Sequence, residues 1–128
     1  MDEIETRTTF ISLHAPGIVW LNYKTGIEID EKDIEENVAA SLQLTNGEKH
    51  GAILDTRGKE VSITDKAMKY GPSENVLKYR IATAYLATSL SGKLFDNFFM
   101  KSYKPKINNR LFADQQEALR WLRTIVKR

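Results

Sequence analysis

The sequence predicts an α/β domain: a mixed, mostly parallel sheet led by an antiparallel N-terminal hairpin, with elements in the order β-β-α-β-α-β-α-β-α. Three observations predict it. Two strand-like runs, "RTTFISLH" and "IVWLNY", are separated only by "APG", and so short a connection makes them antiparallel neighbours. The run "HGAILD" is continuously apolar rather than alternating, as in a strand covered on both faces. From there onward strand-like and helix-like segments alternate, which implies parallel strands joined by crossover helices.

Taken in order, residues 1–6 read as a loose, acidic N-terminal tail of a single domain spanning 1–128. Residues 7–14 alternate as a strand with one buried face, and the β-branched and aromatic run 18–23 returns beside it. Asp30 then precedes "EKDIEENVAASLQL", where Ile34, Val38 and Leu42 recur every four residues and mark the face expected to turn inward. Asp30 caps this helix, the acidic residues after it complement the helix dipole, and Asn46-Gly47 supplies a left-handed stop. The strand 50–55 follows, then a polar loop, then "TDKAMKYG" as a short helix with Thr64 as its cap. "SENVLKYR" reads as a second helical piece.

Residues 80–87 form the next strand, and its Ala82 and Ala84 allow a helix to pack closely. Ser89 or Ser91 opens "GKLFDNFFMKSY", whose Leu94, Phe95, Phe98 and Phe99 make one apolar stripe, and Lys104-Pro105 ends it. "RLFA" (110–113) is the last strand. Asp114 and Glu117 form a D-x-x-E variant of the capping box ahead of "ALRWLRTIV". Ala118, Leu119, Leu122, Ile125 and Val126 face inward there, and Trp121 anchors the helix to the sheet.

Composition bounds the function. The 128 residues are 41% hydrophobic and 28% charged, which suits one core and one domain. No apolar run approaches the roughly 20 residues that cross a bilayer, and "MDEIETRTTF" lacks the basic and apolar segments of a secretory leader. With no cysteine there is no disulfide, thiolate nucleophile or thiolate metal site, which is compatible with a reducing cytoplasm. Residues 1–64 carry 6 Lys/Arg against 12 Asp/Glu, while 65–128 carry 13 against 5. The basic residues are scattered or lie near helix C-termini, where they complement the dipole. Nucleic acid and membrane are therefore not expected partners.

The order of elements resembles that of STAS-like domains, the fold of anti-sigma-factor antagonists of the SpoIIAA type. The last third is more specific. It is similar to a bacterial group described as SpoIIAA-like or STAS-like, on a Ser-rich turn (Ser89–Ser91), an N-F-F helix (Asn97-Phe98-Phe99) and a "RLFADQQEALRWL" ending (Arg110–Leu122). The resemblance implies a protein-interaction module, in which a serine opening the helix after the third strand is phosphorylated to control partner binding. The family pattern is "LD", a loop, then D-S-S-G. Here Leu54-Asp55 leads to "VSITDKA", so Asp65 falls on the motif's Asp and Lys66 stands where the phosphoacceptor would be. Ser62 and Thr64 are the nearby hydroxyls, but a Thr just before a helix is ordinarily a cap.

The remaining chemistry is sparse. Asp55 ends a buried strand, and the carboxyl ends of parallel strands face the ligand crevice of an open sheet. Asp55, Thr56, Arg57, Thr88, Ser89 and Ser91 are thus the candidate ligand contacts, with a helix-start turn able to hold an anion. The plainer reading makes the serines caps and pairs Asp55 with Arg57. "SLSGKL" fails the phosphate-loop pattern, with Ala87 at the first glycine and Leu94 after Lys93. His14 and His50 stand alone and read as turn or surface residues, so no metal is expected. No G-x-S-x-G elbow or GxGxxG fingerprint is present, and neither a catalytic residue nor a cofactor is expected. Phe95, Phe98, Phe99, Met100 and Tyr103 carry more apolar surface than one helix face needs; most is expected in the core, and the flank Phe95, Phe99 and Tyr103 is the candidate surface for a protein partner or a second copy. The sequence thus leads to a non-enzymatic interaction module, with a small-molecule or anion-binding domain as the alternative.

Overall fold

The computed structural model describes residues 3–71, 73–87 and 108–126. Its main sheet has six strands in the order β1-β2-β3-β5-β7-β8: β1 (Glu3–Glu5), β2 (Thr9–Ala15), β3 (Ile18–Tyr23), β5 (His50–Asp55), β7 (Arg80–Leu86) and β8 (Asn108–Phe112). The pairs β1–β2 and β2–β3 are antiparallel, and β3–β5, β5–β7 and β7–β8 are parallel. This is the predicted mixed sheet led by an antiparallel hairpin. Among the described residues the helices are α1 (Glu31–Leu44), α2 (Asp65–Tyr70), α3 (Glu74–Leu77) and α4 (Gln115–Ile125). The predicted helix with Phe95, Phe99 and Tyr103 lies outside the described residues, as do Thr88, Ser89 and Ser91.

Both faces of β5 are fully buried, as its unbroken apolar run requires. One face packs Val19, Leu21, Ala52, Leu54 and Tyr85 beneath α1 and α2 through Ala40 and Ala67. The other packs Ile18, Ile53, Ala82, Ala84 and Leu86 against Ala118 and Leu122 of α4. Gly51 permits the second contact. A Cβ there would stand 2.9 Å from Val126 Cγ2 and 3.2 Å from Leu122 Cδ2. Trp121 does anchor α4, its ring 5.6 Å from that of Phe112 on β8, but the deepest contact is the fully buried Leu122.

Four sequence expectations change. Residues 3–5, read as loose tail, pair with β2 as an edge strand, because Ile4 can pack on the core beneath it. The polar loop after β5 contains β6 (Val61–Ile63), which pairs in parallel with β4 (Ile27–Ile29) as a separate two-stranded sheet. The capping box belongs to α1: Asp30 accepts from Glu31 N at 2.8 Å, and Asp33 Oδ2 accepts from the Asp30 N–H at 2.8 Å. On α4, Asp114 accepts from Gln116 N without the return bond from Glu117.

The fourth change is the inward face of α1. Ile34, Val38 and Leu42 are only half-buried, while Asp33, Asn37, Ala40 and Ser41 are buried. The cause lies at the start of β2, where Thr9 and the preceding Thr8 are fully buried and need partners. Asn37 supplies them, donating to Thr9 Oγ1 at 3.0 Å and accepting from Thr6 Oγ1 at 2.8 Å. Ser41 and Thr45 turn their hydroxyls back to the helix carbonyls of Asn37 and Ser41. Arg7 closes the row, its Nε donating to Asp33 Oδ1 at 2.8 Å. That hydrogen bond, opposed by burial, holds the Asp33 carboxyl below its ordinary pKa.

Candidate functional site

Asp55 ends β5 with only 6% of its side chain exposed. A carboxylate so placed must be matched by donors, and the fold brings four. Arg57 turns back two residues later, giving its backbone N–H and Nε to Oδ1 (3.1 and 3.0 Å) and Nη2 to Oδ2 (2.9 Å). The Trp20 indole, from β3, donates to Oδ2 at 3.2 Å. A carboxylate has about four acceptor positions, so all are taken by the chain itself. The hydrogen bond to Asp55 outweighs desolvation and raises the Arg57 pKa further above its already high value.

The network extends to the end of α4. Arg57 Nη2 donates to Gln115 Oε1 at 3.3 Å, and the Gln115 amide nitrogen lies 3.3 Å from His14 Nε2. The imidazole in turn sits edge-on to the Trp20 ring, centroids 5.0 Å apart. Five side chains from β2, β3, β5, the following turn and α4 thus lock together around one carboxylate. An open depression beside them is lined by Trp20, Asn22, Asp55, Arg57, Gly58 and Lys59.

Of the sequence-predicted contacts, Asp55, Thr56 and Arg57 meet here. Thr56 is fully buried and its Oγ1 has no hydrogen-bond partner. Its backbone instead ties the turn, donating to Leu86 O at 2.9 Å and accepting from Lys59 N at 3.1 Å. Thr64 caps α2, its hydroxyl accepting from Ala67 N at 3.1 Å, while Ser62 and Lys66 are exposed. His50 is not a surface residue. It is buried beneath the end of α1, with Nδ1 2.9 Å from Glu48 O and 3.5 Å from Thr45 Oγ1. Among the described residues, no three His, Asp or Glu side chains converge as a metal site, and no helix is long and apolar enough to cross a membrane.

A profile of a domain of unknown function, DUF7793, matches residues 11–126. The chain belongs to this family. The matched span begins within β2 and ends just past α4, so the DUF7793 domain includes every member of the Asp55 network. No curated protein and no solved structure matches the chain.

Sequence reasoning missed the contributions of Trp20, His14 and Gln115, whose signals are ordinary strand and helix residues. It also missed an internal polar set. Arg80, at the start of β7, has a buried Nε without a hydrogen-bond partner, and burial lowers its pKa. Tyr23 and Tyr85 are buried near it. Burial pushes Tyr23 up to about 12 and Tyr85 higher, against the opposing pull of Arg80 on both.

Proposed function

We propose that this DUF7793 domain is a STAS-like, SpoIIAA-like interaction module of the bacterial cytoplasm, working through protein contacts without chemistry of its own and without the usual phosphoserine switch. The observation that carries this reading is the saturation of Asp55. The charged group best placed for ligand chemistry at the strand ends spends all its acceptor capacity on Trp20 and Arg57. The loop that would correspond to the regulatory position of STAS-like domains supports the same reading, because Lys66 stands at the phosphoacceptor place of that pattern and the Thr64 hydroxyl is engaged as a helix cap. Native co-purification tests it. Recovery of a macromolecular partner with unphosphorylated chain is expected; a stoichiometric metabolite with no macromolecular partner would overturn it.

A second reading, an anion-binding domain, is favoured by one observation. The depression beside Asp55 presents Arg57, about one-third exposed, and Lys59. A thermal-shift panel of phosphates and carboxylates separates the two. Stabilisation lost in Arg57→Met and Lys59→Met supports anion binding, and a flat panel supports the interaction module.

A further inference from the structure

The depression beside Asp55 lies where the parallel strands β3 and β5 end together, with Asn22 opposite Asp55 in register. Carboxyl ends of parallel strands are where open sheets present their binding groups. Asp55 is fully occupied by Arg57 and Trp20, and this fixes both partners. The guanidinium is held through Nε and Nη2, and the indole through its N–H. What remains around the depression is a set of donors. Arg57 Nη1, the Lys59 ammonium and the Asn22 amide make no hydrogen bond or ion pair among the described residues. All three side chains line the depression.

Charge selects the class of ligand. Asp55 cancels Arg57, so Lys59 leaves the lining with a single net positive charge. Asp114, which caps α4, is close enough to act on the guanidinium as well. A phosphate dianion would face both carboxylates with only that excess to hold it, whereas one carboxylate matches it charge for charge. The two oxygens of a carboxylate can accept from all three donors. Shape selects how the carboxylate is presented. Small-molecule sites bury most of their ligand, and this depression is too open to do so. A carboxylate carried on a protein brings its own surroundings, and Trp and Arg are the residues on which such contacts concentrate. Asp55 already holds Trp20 and Arg57, so docking orders neither of them anew. We propose that the depression is the docking point for an aspartate or glutamate side chain in an acidic segment of a partner protein, with Arg57, Lys59 and Asn22 as donors and Trp20 as the apolar wall. The inference rests on the reading of the domain as an interaction module, and names the chemistry of its partner and the place of contact.

Amide NMR of the full chain tests it, titrated with end-blocked hexapeptides of Glu and of Gln, with acetate and with inorganic phosphate. The Glu peptide is expected to move the Trp20 indole, the Asn22 side-chain amide and the Gly58 N–H with millimolar affinity, while the Trp121 indole stays still. The Gln peptide should move none of them, and acetate and phosphate should not saturate over the same range. Lys59→Met should weaken the Glu peptide about fivefold, the upper end for one exposed ion pair, with unchanged Tm, and Lys59→Arg should retain it. Absence of a saturable shift, indifference to Lys59→Met, or binding of acetate or phosphate as tight as that of the peptide overturns the inference. If the Glu peptide fails while another protein still co-purifies with the chain, only the acidic docking point falls and the interaction module stands.

Discussion

Replacing Asp55 with Ala removes the acceptor at which four donors converge, and the loss can be sized from its surroundings. Removing one partner of a fully buried ion pair costs about 3–5 kcal/mol, whereas exposed pairs contribute about 0.2–1 kcal/mol. This pair lies between those limits, with the carboxylate 6% and the guanidinium 34% exposed. The Trp20 and backbone bonds add about 1 kcal/mol each before water in the open depression regains part of it. The expected cost is therefore about 2–3 kcal/mol, or roughly 10 °C in Tm for a domain of this size. Urea denaturation of Asp55→Ala, Arg57→Met and the double variant measures it. Because both members serve one network, the double variant should lose less than the sum, with a coupling of about 1–2 kcal/mol. An Asp55→Ala protein as stable as wild type, or more stable, would refute the reasoning, since that is the behaviour of a residue retained for ligand chemistry.

Four further outcomes follow from the packing and the titrating groups. Leu122→Ala, at a fully buried position, should cost about 3 kcal/mol by cavity formation, and Gly51→Val should cost about 1–3 kcal/mol by driving side-chain atoms into Val126 and Leu122; both are read by denaturant midpoints, and a neutral result for either contradicts the docking of α4 on β5. The Asp33 carboxyl has a folded pKa below its unfolded value, so its contribution is present above about pH 4 and is lost as pH falls through the folded value; Arg7→Met should flatten that acid limb. Tyr23 titrates at about 12 when folded against an ordinary value of 10.0, so stability should fall as pH rises from 10 toward 12, and Tyr23→Phe should lessen the decline.

Local signals carried the parts of this fold that depend on neighbours in sequence. The caps at Asp30, Thr64 and Asp114, the left-handed stop with Asn46 at φ 54° and Gly47 at φ 74°, and the buried run of β5 were all legible. The failures share a cause, which is dependence on distant partners. Ile34, Val38 and Leu42 looked like the core stripe because apolar spacing is the visible signal. The polar row Asp33, Asn37, Ser41 displaced them because Thr8 and Thr9 on another element need its hydrogen bonds. Strands β4 and β6 are three residues each and find each other across 34 positions, too short to leave a pattern. In the candidate site the Asp55–Arg57 pair was legible, being two residues apart. Trp20, His14 and Gln115 reach it only through strand register and the docking of α4.

The central claim is that the domain acts by holding another protein rather than a small molecule. Native purification from its own cells, with the protein and metabolite fractions both analysed by mass spectrometry, tests this most directly. The account predicts unphosphorylated chain recovered with a macromolecular partner, a second copy included. A stoichiometric bound metabolite with neither another protein nor a dimer would contradict it.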